Sequence, residues 1–243
     1  MSYHWNWHIF WEPAPSGTGT YLDMLLAGLV LTIETALGAW IIALAFGSIV
    51  GVLRTLSSQT ASRIGFLYVE FFRNMPLLVQ LFLWFFVLPE LLPHAWGLWL
   101  KQVPNAPFYT TMIGVGLFMS VRVAEQLRAG IGSLPRGQKL AATALGLTTA
   151  QSYRYVLLPI AFRIIMPPLT SEFLNTIKNT SVGITIGLIE LTGEARSMQE
   201  YSFQVFEAFT AATVLYLLVN IVVVVAMRLL ERSLAIPGYI TGK

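Results

Sequence analysis

Five long apolar stretches dominate this sequence and restrict the folds available to it. The last of them, AFTAATVLYLLVNIVVVVAM at residues 208–227, contains no charged side chain. About 20 consecutive apolar residues form one helical membrane crossing, and long stretches without alternation are typical of helices rather than barrel strands. We therefore predict an all-α polytopic membrane protein with five transmembrane helices. The predicted spans are 24–53, about 67–92, 108 to beyond 121, about 164–189 and 208–227.

The composition agrees with a bilayer as the solvent. Hydrophobic residues make up 56% of the 243 positions and charged residues only 11%, whereas an ordinary soluble domain has roughly 25% charged residues. The absence of cysteine excludes disulfides, thiolate metal sites and iron–sulfur clusters. The net charge of +3 is small, and we expect no nucleic-acid partner.

Residues 1–21 are predicted to form a periplasmic segment at the membrane surface. They contain no Lys or Arg, so they lack the basic leader of a cleaved signal peptide. Trp5, Trp7 and Trp11 suit the headgroup region, where indole rings are enriched. His4 and His8 stand four residues apart, but the chain has only one further histidine. We interpret them as interfacial polar residues and expect no metal site.

The positions of Lys and Arg predict which ends of the spans are cytoplasmic. Basic residues are concentrated in the first and third connections and after the last span, whereas the other two connections hold one each. Because cytoplasmic loops carry an excess of Lys and Arg, we expect the amino terminus outside and the carboxyl terminus in the cytoplasm. The basic residues on the predicted cytoplasmic side are Arg54, Arg63, Arg128, Arg136, Lys139, Arg154, Arg163, Arg228, Arg232 and Lys243.

The chain is predicted to be a single membrane domain without a soluble domain of its own. We assign residues 22–232 to the transmembrane domain, with a cytoplasmic loop at 130–160 and a cytoplasmic tail at 233–243. The phosphate-binding sequence GxxxxGK[ST] does not occur, so any ATP hydrolysis requires another polypeptide.

The loop at 130–160 has a composition unlike that of the spans beside it. A helix is predicted to start near Gln138 and to end at Gly146, because glycine tolerates the backbone angles of a turn. A second short helix, capped by Thr148 or Thr149, is predicted to reach Leu158. The residues predicted to end the third span before this loop are Gly130, Gly132 and Pro135.

Two interpretations of this loop remain open from its residues alone. Its small and apolar side chains form a smooth helix surface that a groove on another protein can approach closely. Alternatively, the loop is an amphipathic connector on the lipid surface, held to anionic headgroups by basic side chains. The smooth surface consists of Ala141, Ala142, Ala144 and Leu145, and the basic side chains are Arg136, Lys139 and Arg154.

The spacing in this loop resembles the pattern EAA–x3–G–x9–I–x–L–P. The matching residues are Ala141, Ala142, Gly146, Val156, Leu158 and Pro159. That pattern marks the membrane subunits of bacterial ABC importers, in which it forms a coupling helix that docks into a cleft of an ATPase subunit. The leading Glu of the pattern is Leu140 here. The resemblance therefore implies docking by apolar contact and by the basic rim, without that carboxylate.

The resemblance extends over nearly the whole chain. Residues 68–86, YVEFFRNMPLLVQLFLWFF, are similar to the FRGTPLLVQ region of polar amino-acid importers. Residues 124–138, AEQLRAGIGSLPRGQ, and 174–192, LNTIKNTSVGITIGLIELT, resemble their AExxRGGIxSIPKGQ and LNxxKxTS elements. The segments NWHIFWEPAP, YRYVLLPIAFRIIMPPLTSEFLN and ERSLAIPG resemble permease subunits of glutamate/aspartate importers more narrowly.

Membership of this family implies a multi-pass permease subunit with the type I ABC importer fold in the bacterial inner membrane. The implied partners are two ABC ATPase subunits, a second permease subunit (homologous or identical), a periplasmic solute-binding protein, an amino-acid substrate and membrane lipid. The chain would not be an enzyme and would bind no cofactor, because ATP and Mg would lie on the partner ATPase. The residues implied to carry ATPase coupling are Gln138, Leu140, Ala141, Ala142, Leu145, Gly146 and Pro159.

Polar residues inside the predicted spans mark a candidate substrate path. A charged side chain at a helix centre costs about 2.5–3.5 kcal/mol on insertion scales, so its presence suggests a role. Lys178 either attracts a substrate carboxylate or pairs with a carboxylate such as Glu172 or Glu34 to hold helices together. The candidate path residues are Glu34, Gln80, Asn175, Lys178 and Ser181, of which the last three recur every third residue.

Three charged residues at the inner end of the third span have helical spacing. Arg122, Glu125 and Arg128 stand three residues apart and predict a ladder of ion pairs along one helix face. Arg73, at the start of the second span, is expected to extend its charged end towards the membrane surface.

Other classes of function are less consistent with the sequence. An ion-driven secondary transporter usually has more spans and inverted repeats, and neither is visible here. An intramembrane enzyme requires a catalytic set at one depth, but the only Asp is Asp23, at the outer edge of the first span. Within the importer family, a permease for glutamine or for a basic amino acid remains the alternative.

Overall fold

The structure, a computed structural model, describes residues 3–15, 17 and 19–234, and most of them are helical. Within these residues, the only β pairing is an isolated antiparallel bridge between Pro13 and Thr20. The helices are α1 (Tyr21–Leu53), α2 (Gln59–Arg73), α3 (Leu77–Phe82), α4 (Leu88–Leu91), α5 (His94–Gln102), α6 (Ala106–Gly132), α7 (Arg136–Ala144), α8 (Thr149–Ser152), α9 (Leu158–Asn179), α10 (Leu191–Ser202) and α11 (Val205–Leu234). Short 3₁₀ helices lie at Trp7–Trp11 and Thr180–Ile186, and π turns at Leu83–Val87 and Tyr153–Leu157.

Four helical stretches of the described chain are long and apolar enough to cross a bilayer. They are Tyr21–Leu53, Ala106–Gly132, Thr149–Ile186 and Val205–Leu234. The first, third and fifth predicted spans correspond to three of them. The fourth prediction was too short, because the helix begins at Thr149 instead of about 164. The second short helix of the loop continues into this span and does not end at Leu158.

The second predicted span, about 67–92, is interrupted by a sharp bend near Pro76. α2 ends at Arg73 and α3 begins at Leu77, with Pro76 at its amino-terminal cap. Proline has no N–H to donate and disfavours the helical conformation of the residue before it, which accounts for the break at this position. A fifth crossing would consist of α2 together with the stretch Leu77–Leu91, separated by this break. Most of the predicted tail at 233–243 lies outside the described residues.

Pro89 and Pro159 lie inside helical stretches directly after a π turn, whereas Pro167 and Pro168 lie inside α9 without one. Pro89 and Pro159 both follow a leucine, and a five-residue π turn ends just before that leucine. A helical proline lacks an N–H, and its ring clashes with the carbonyl four residues earlier. In the wider turn, the N–H of Leu88 donates to the Leu83 carbonyl, and the N–H of Leu158 to that of Tyr153. The chain therefore continues as helix past both prolines.

The chain forms two compact units, and the first contains residues Met1–Trp40, Pro76–Gly116 and Asn175–Val222. Its buried apolar core includes Leu25, Leu191, Ala195, Met198 and Ala208.

A buried carboxyl group, that of Glu190, links three helices of this first unit. Glu190 is fully buried and caps α10, since its Oε1 accepts the N–H groups of Thr192 (2.9 Å) and Gly193 (3.2 Å). Its Oε2 accepts the hydroxyl of Tyr216 on α11 at 2.6 Å and that of Thr32 on α1 at 3.1 Å. One side chain thus ties α1 and α11 to the start of α10.

The second unit contains Ile41–Met75, Leu117–Leu174 and Val223–Lys243. Within it, the last turns of α1 lie against α6 with almost no space between the backbones. A Cβ at Gly47 would lie 2.6 Å from the Ser120 carbonyl oxygen, and one at Gly51 would lie 3.0 Å from that of Ala124. Small residues four apart allow this close approach of membrane helices. Tyr68 on α2 joins the contact through a 2.8 Å hydrogen bond to the Ser120 hydroxyl.

Candidate functional site

The loop at 130–160 begins with α7, an isolated helix of nine residues. Pro135 occupies its amino-terminal cap, and Gly146 ends it with a left-handed φ of +75°. The N–H of Gly146 donates to the Thr143 carbonyl, and the N–H of Leu147 to that of Ala142, at 3.0 and 3.1 Å. This pair of bonds is the Schellman arrangement, and it satisfies carbonyls that the helix end leaves open. The predicted stop at Gly146 is therefore confirmed, although α7 begins at Arg136 rather than near Gln138.

α7 has one buried side and one open apolar side. Ala142 is 2% exposed, and Gln138 is partly buried. Leu140 and Leu145 are 68% and 80% exposed, and Ala141 lies on the same open side. Leu140 on α7 and Leu145 at its carboxyl-terminal cap therefore expose apolar surface.

The second half of the loop is fixed firmly to the unit that carries it. Thr148, one of the two predicted caps, forms a reciprocal capping box with Gln151 at the start of α8. In the following π turn, Tyr153 is buried and its hydroxyl donates to Thr55 Oγ1 at 3.0 Å. Tyr153 packs with Leu134 and Leu157 in a small apolar cluster. The segment that follows α7 is therefore held by a helix cap, a side-chain hydrogen bond and apolar packing.

Pro159, the last residue predicted to carry ATPase coupling, connects the loop to the following helix. It lies in the first turn of α9, directly after the π turn, and the helix continues from it to Asn179. A displacement of α7 is thus connected through α8 and the π turn to a membrane-crossing helix.

Of the two ion pairs predicted along α6, Arg122 with Glu125 and Glu125 with Arg128, only the second is present. Glu125 pairs with Arg128 at 3.0 Å, and it also contacts Arg54, just after α1. Arg122 pairs instead with Glu172 on α9, at 3.7 Å. Burial, and then the nearby charge of Arg128, lower the pKa of Arg54.

A groove of about 360 Å³ in the second unit is lined by charged residues that were not predicted to line the substrate path. Arg73, Arg122 and Glu172 line it, between the rings of Phe72 and Phe118. Arg73 also pairs with Glu70 on its own helix, at 2.6 Å, and its side chain is 57% exposed. Sequence spacing could not reveal the Arg122 to Glu172 pair, because its members lie 50 positions apart on different helices.

Glu34 lies in a second groove, of about 410 Å³, in the first unit. It is exposed, and the same groove is lined by Asn105, Tyr109, Gly187 and Leu188. Asn105 and Gly187 both have left-handed backbone conformations, with φ of 55° and 93°. They turn the chain at the start of α6 and at the end of the 3₁₀ helix, and so they form the groove walls.

Gln80 and Lys178 lie in contrasting environments. Gln80, on α3, is fully buried, and its amide nitrogen and oxygen have no hydrogen-bond partner among the described residues. Lys178 is exposed near the end of α9 and forms no ion pair within the described part of the chain. The predicted pairing of Lys178 with Glu172 or Glu34 is therefore not found among the described residues, and Glu172 pairs with Arg122 instead.

The stripe of Asn175, Lys178 and Ser181 lies along the more open side of the helix end. Asn175 and Ser181 are partly exposed, whereas Thr176 and Ile177 between them are buried. Ser181 lies in the 3₁₀ helix after Asn179, and its hydroxyl donates to the Lys178 carbonyl at 2.7 Å. As for a metal site, no group of three or more His, Asp or Glu side chains in the described residues is arranged to hold an ion.

The long apolar helices define a multi-pass membrane protein with an exposed two-helix connection. Residues 43–236 match the family of binding-protein-dependent transport system inner membrane components. The chain belongs to this family. It is a membrane permease subunit rather than an enzyme.

Comparisons with individual proteins agree with this assignment. The chain is 49% identical to the glutamate/aspartate import permease protein GltJ of Escherichia coli strain K12, over 100% of both chains. It is 35% identical to the probable amino-acid ABC transporter permease protein PatM of Vibrio harveyi, over 80% of this chain and 84% of PatM. Among solved structures, an amino acid ABC transporter crystallised with histidines matches with a TM-score of 0.73 and 28% identity, over 88% of this chain and 95% of that one.

Proposed function

We propose that this chain is a permease subunit of an ATP-driven importer for glutamate and aspartate in the bacterial inner membrane. The identity of 49% over the full length of both chains to a glutamate/aspartate import permease is the observation that carries this proposal. Five crossings, with the amino terminus outside and α7 in the cytoplasm, are the topology that the distribution of basic residues favours.

The proposed mechanism starts at α7. Its exposed leucines, Leu140 and Leu145, enter a cleft of the ATPase subunit, with Gln138, Ala141 and Ala142 shaping the helix. Closure of two ATPase subunits on ATP and Mg moves α7, and the continuous stretch Thr149–Ile186 transmits that motion into the membrane. The chain itself binds no cofactor in this scheme. A stiff helix can transmit force in this way, and Gly146 fixes the end of the helix that makes the contact.

Substrate passage requires more surface than one chain of this size encloses. A second permease subunit, homologous or identical, supplies the other wall of the path, and a periplasmic solute-binding protein delivers the amino acid. Within this chain, Lys178 is the proposed contact for a substrate carboxylate, flanked by Asn175 and Ser181. Glu34 and Gln80 are the other proposed path residues.

The proposal is tested by reconstituting the chain with its partner subunits in proteoliposomes. ATP hydrolysis stimulated by the loaded binding protein is measured with glutamate, aspartate, glutamine and arginine. We expect stimulation by the two acidic amino acids alone. Stimulation by glutamine or arginine without a response to glutamate would establish the alternative substrate class.

The role of Lys178 is tested in the same assay. Lys178→Met should raise the KM for glutamate uptake, because it removes an unpaired cation. The matched control is Lys101→Met, at an exposed lysine that pairs with Glu90 at 2.6 Å in the first unit. Unchanged kinetics in Lys178→Met would show that this lysine does not contact the substrate.

A further inference from the structure

A basic groove lies beside α7 in the second unit. It has a volume of about 330 Å³, and its lining combines four basic side chains with apolar ones. No carboxylate belongs to the lining within the described residues. The basic side chains are those of Arg54, Arg128, Arg136 and Lys139.

The positive charge of this groove is only partly neutralised. Glu125 is shared between Arg54 and Arg128, so one carboxylate serves two cations. Arg136 and Lys139 are exposed and form no ion pair with any residue that the structure describes. The recessed Arg54 has a side chain only 16% exposed, whereas the other three basic side chains of the groove are more exposed.

Apart from Thr55 and Tyr153, the remaining lining is apolar, and much of it lies at the ends of membrane-crossing helices. Ile131, Leu134 and Leu157 contribute aliphatic surface, and α1 ends at Leu53, directly before Arg54. α6 ends at Gly132, also in the lining. Cations and aliphatic surface therefore meet at the level where spanning helices leave the hydrocarbon.

We propose that the basic groove binds the phosphate group of an anionic phospholipid. The cations would hold the phosphate, and the aliphatic lining would lie against the first carbons of the lipid. Basic pockets between membrane helices on the cytoplasmic side are suited to such headgroups. A free phosphate ion would use the same cations but not the apolar surface, so the lining favours the lipid.

This site is separate from the surface proposed for the ATPase. The exposed leucines of α7, Leu140 and Leu145, do not line the groove, whereas Arg136 and Lys139 do. α7 would thus contact lipid on its basic edge and protein on its apolar face. The headgroup would fix the position of α7 relative to the membrane. The two interpretations of the loop from its sequence then describe two surfaces of one helix.

The test measures lipid binding directly, by native mass spectrometry of the purified full-length chain. Phosphatidylglycerol and phosphatidylcholine are titrated separately, and we expect phosphatidylglycerol to bind at much lower concentration. The double variant Arg136→Gln/Lys139→Gln should weaken phosphatidylglycerol binding by about 30-fold, as expected for two basic side chains near an anionic surface. The charge-preserving variant Arg136→Lys/Lys139→Arg should retain binding. The matched control, Arg63→Gln, removes an exposed cation of α2 outside the groove and should have no effect.

Several outcomes would overturn the proposal. Equal binding of the two lipids, equal phosphatidylglycerol binding by the double variant, or an equal loss in Arg63→Gln would each do so. Full displacement of phosphatidylglycerol by millimolar inorganic phosphate would identify a soluble anion as the ligand instead. If the double variant kept its lipid but lost co-purification of the ATPase, the groove would belong to the protein interface.

Discussion

Replacement of Glu190 by alanine is expected to destabilise the first unit strongly. The two hydroxyls that donate to this carboxyl group have other acceptors within reach. The Tyr216 hydroxyl lies 3.1 Å from Thr192 Oγ1, and the Thr32 hydroxyl can donate to the Gly28 carbonyl at 3.0 Å. The first-turn N–H groups of Thr192 and Gly193 have no such alternative acceptor among the described residues.

The magnitude follows from these two N–H groups. A buried donor left without a partner costs about 1–3 kcal/mol, so two of them give roughly 3 kcal/mol for Glu190→Ala. For a chain of this size, each kcal/mol lowers Tm by about 2–4 °C, which predicts a fall of roughly 10 °C. Glu190→Gln keeps an oxygen that accepts both N–H groups and should lower Tm by only about 3 °C.

The assay is thermal unfolding of the purified chain in mild detergent, followed by tryptophan fluorescence. The reasoning depends on the difference between the two variants rather than on either alone. Equal falls in Tm for Glu190→Ala and Glu190→Gln would refute it, because the carboxyl would then act through its charge. A change below about 2 °C in Glu190→Ala would show that the cap is not required.

Two further predictions concern stability in the same assay. Gly47→Leu should lower Tm, because overpacking costs about 1–3 kcal/mol and an added Cβ would lie 2.6 Å from the Ser120 carbonyl oxygen. The control is Gly137→Leu, since no atom lies within 4 Å of a Cβ added at that position. Equal falls in Tm for the two variants would contradict the close packing of α1 against α6. Burial raises the pKa of Glu194 on α10. The neutral carboxyl group favours the folded state fully below the pKa of the unfolded chain, near 4.3. This stabilisation is lost as pH rises through the higher pKa of the folded state. Glu194→Gln should therefore raise Tm at pH 7 and have little effect near pH 4, and a lower Tm at pH 7 would contradict this.

The sequence predicted the helices whose ends coincide with strong local signals. The stop of α7 was predictable, because only glycine readily adopts the left-handed turn found at Gly146. The cap at Thr148 was predictable for a similar reason, since a hydroxyl three residues before Gln151 is a local pattern. The span formed by α11 was predictable from the length and hydropathy of its uncharged stretch alone.

The errors arose where local signals were ambiguous. Pro76 and Pro159 are both prolines in apolar surroundings, yet the first separates two helices and the second lies within one. Pro167 and Pro168 also lie inside α9, with no π turn directly before them, so a proline in the sequence does not by itself tell where a helix ends.

The candidate site was predictable only in part for a related reason. Residues of α7 are close in sequence, so a motif could assign them together. The Arg122 to Glu172 pair, the bonds of Glu190 to other helices and the basic groove each join residues distant in the chain, and tertiary packing alone brings them together.

The central claim is that α7 is the surface through which an ATPase drives this permease. The chain has no cysteine, so Leu145→Cys introduces a unique thiol on the exposed face of the loop. The variant is labelled with a benzophenone maleimide, assembled with its partner subunits and irradiated, and the adducts are identified by mass spectrometry. Ala150→Cys, at an exposed position of α8, is the matched control. We predict that the label on Leu145→Cys attaches to the ATPase subunit and that the control does so far less. Adducts formed only with phospholipid, or with the permease itself, would contradict the account.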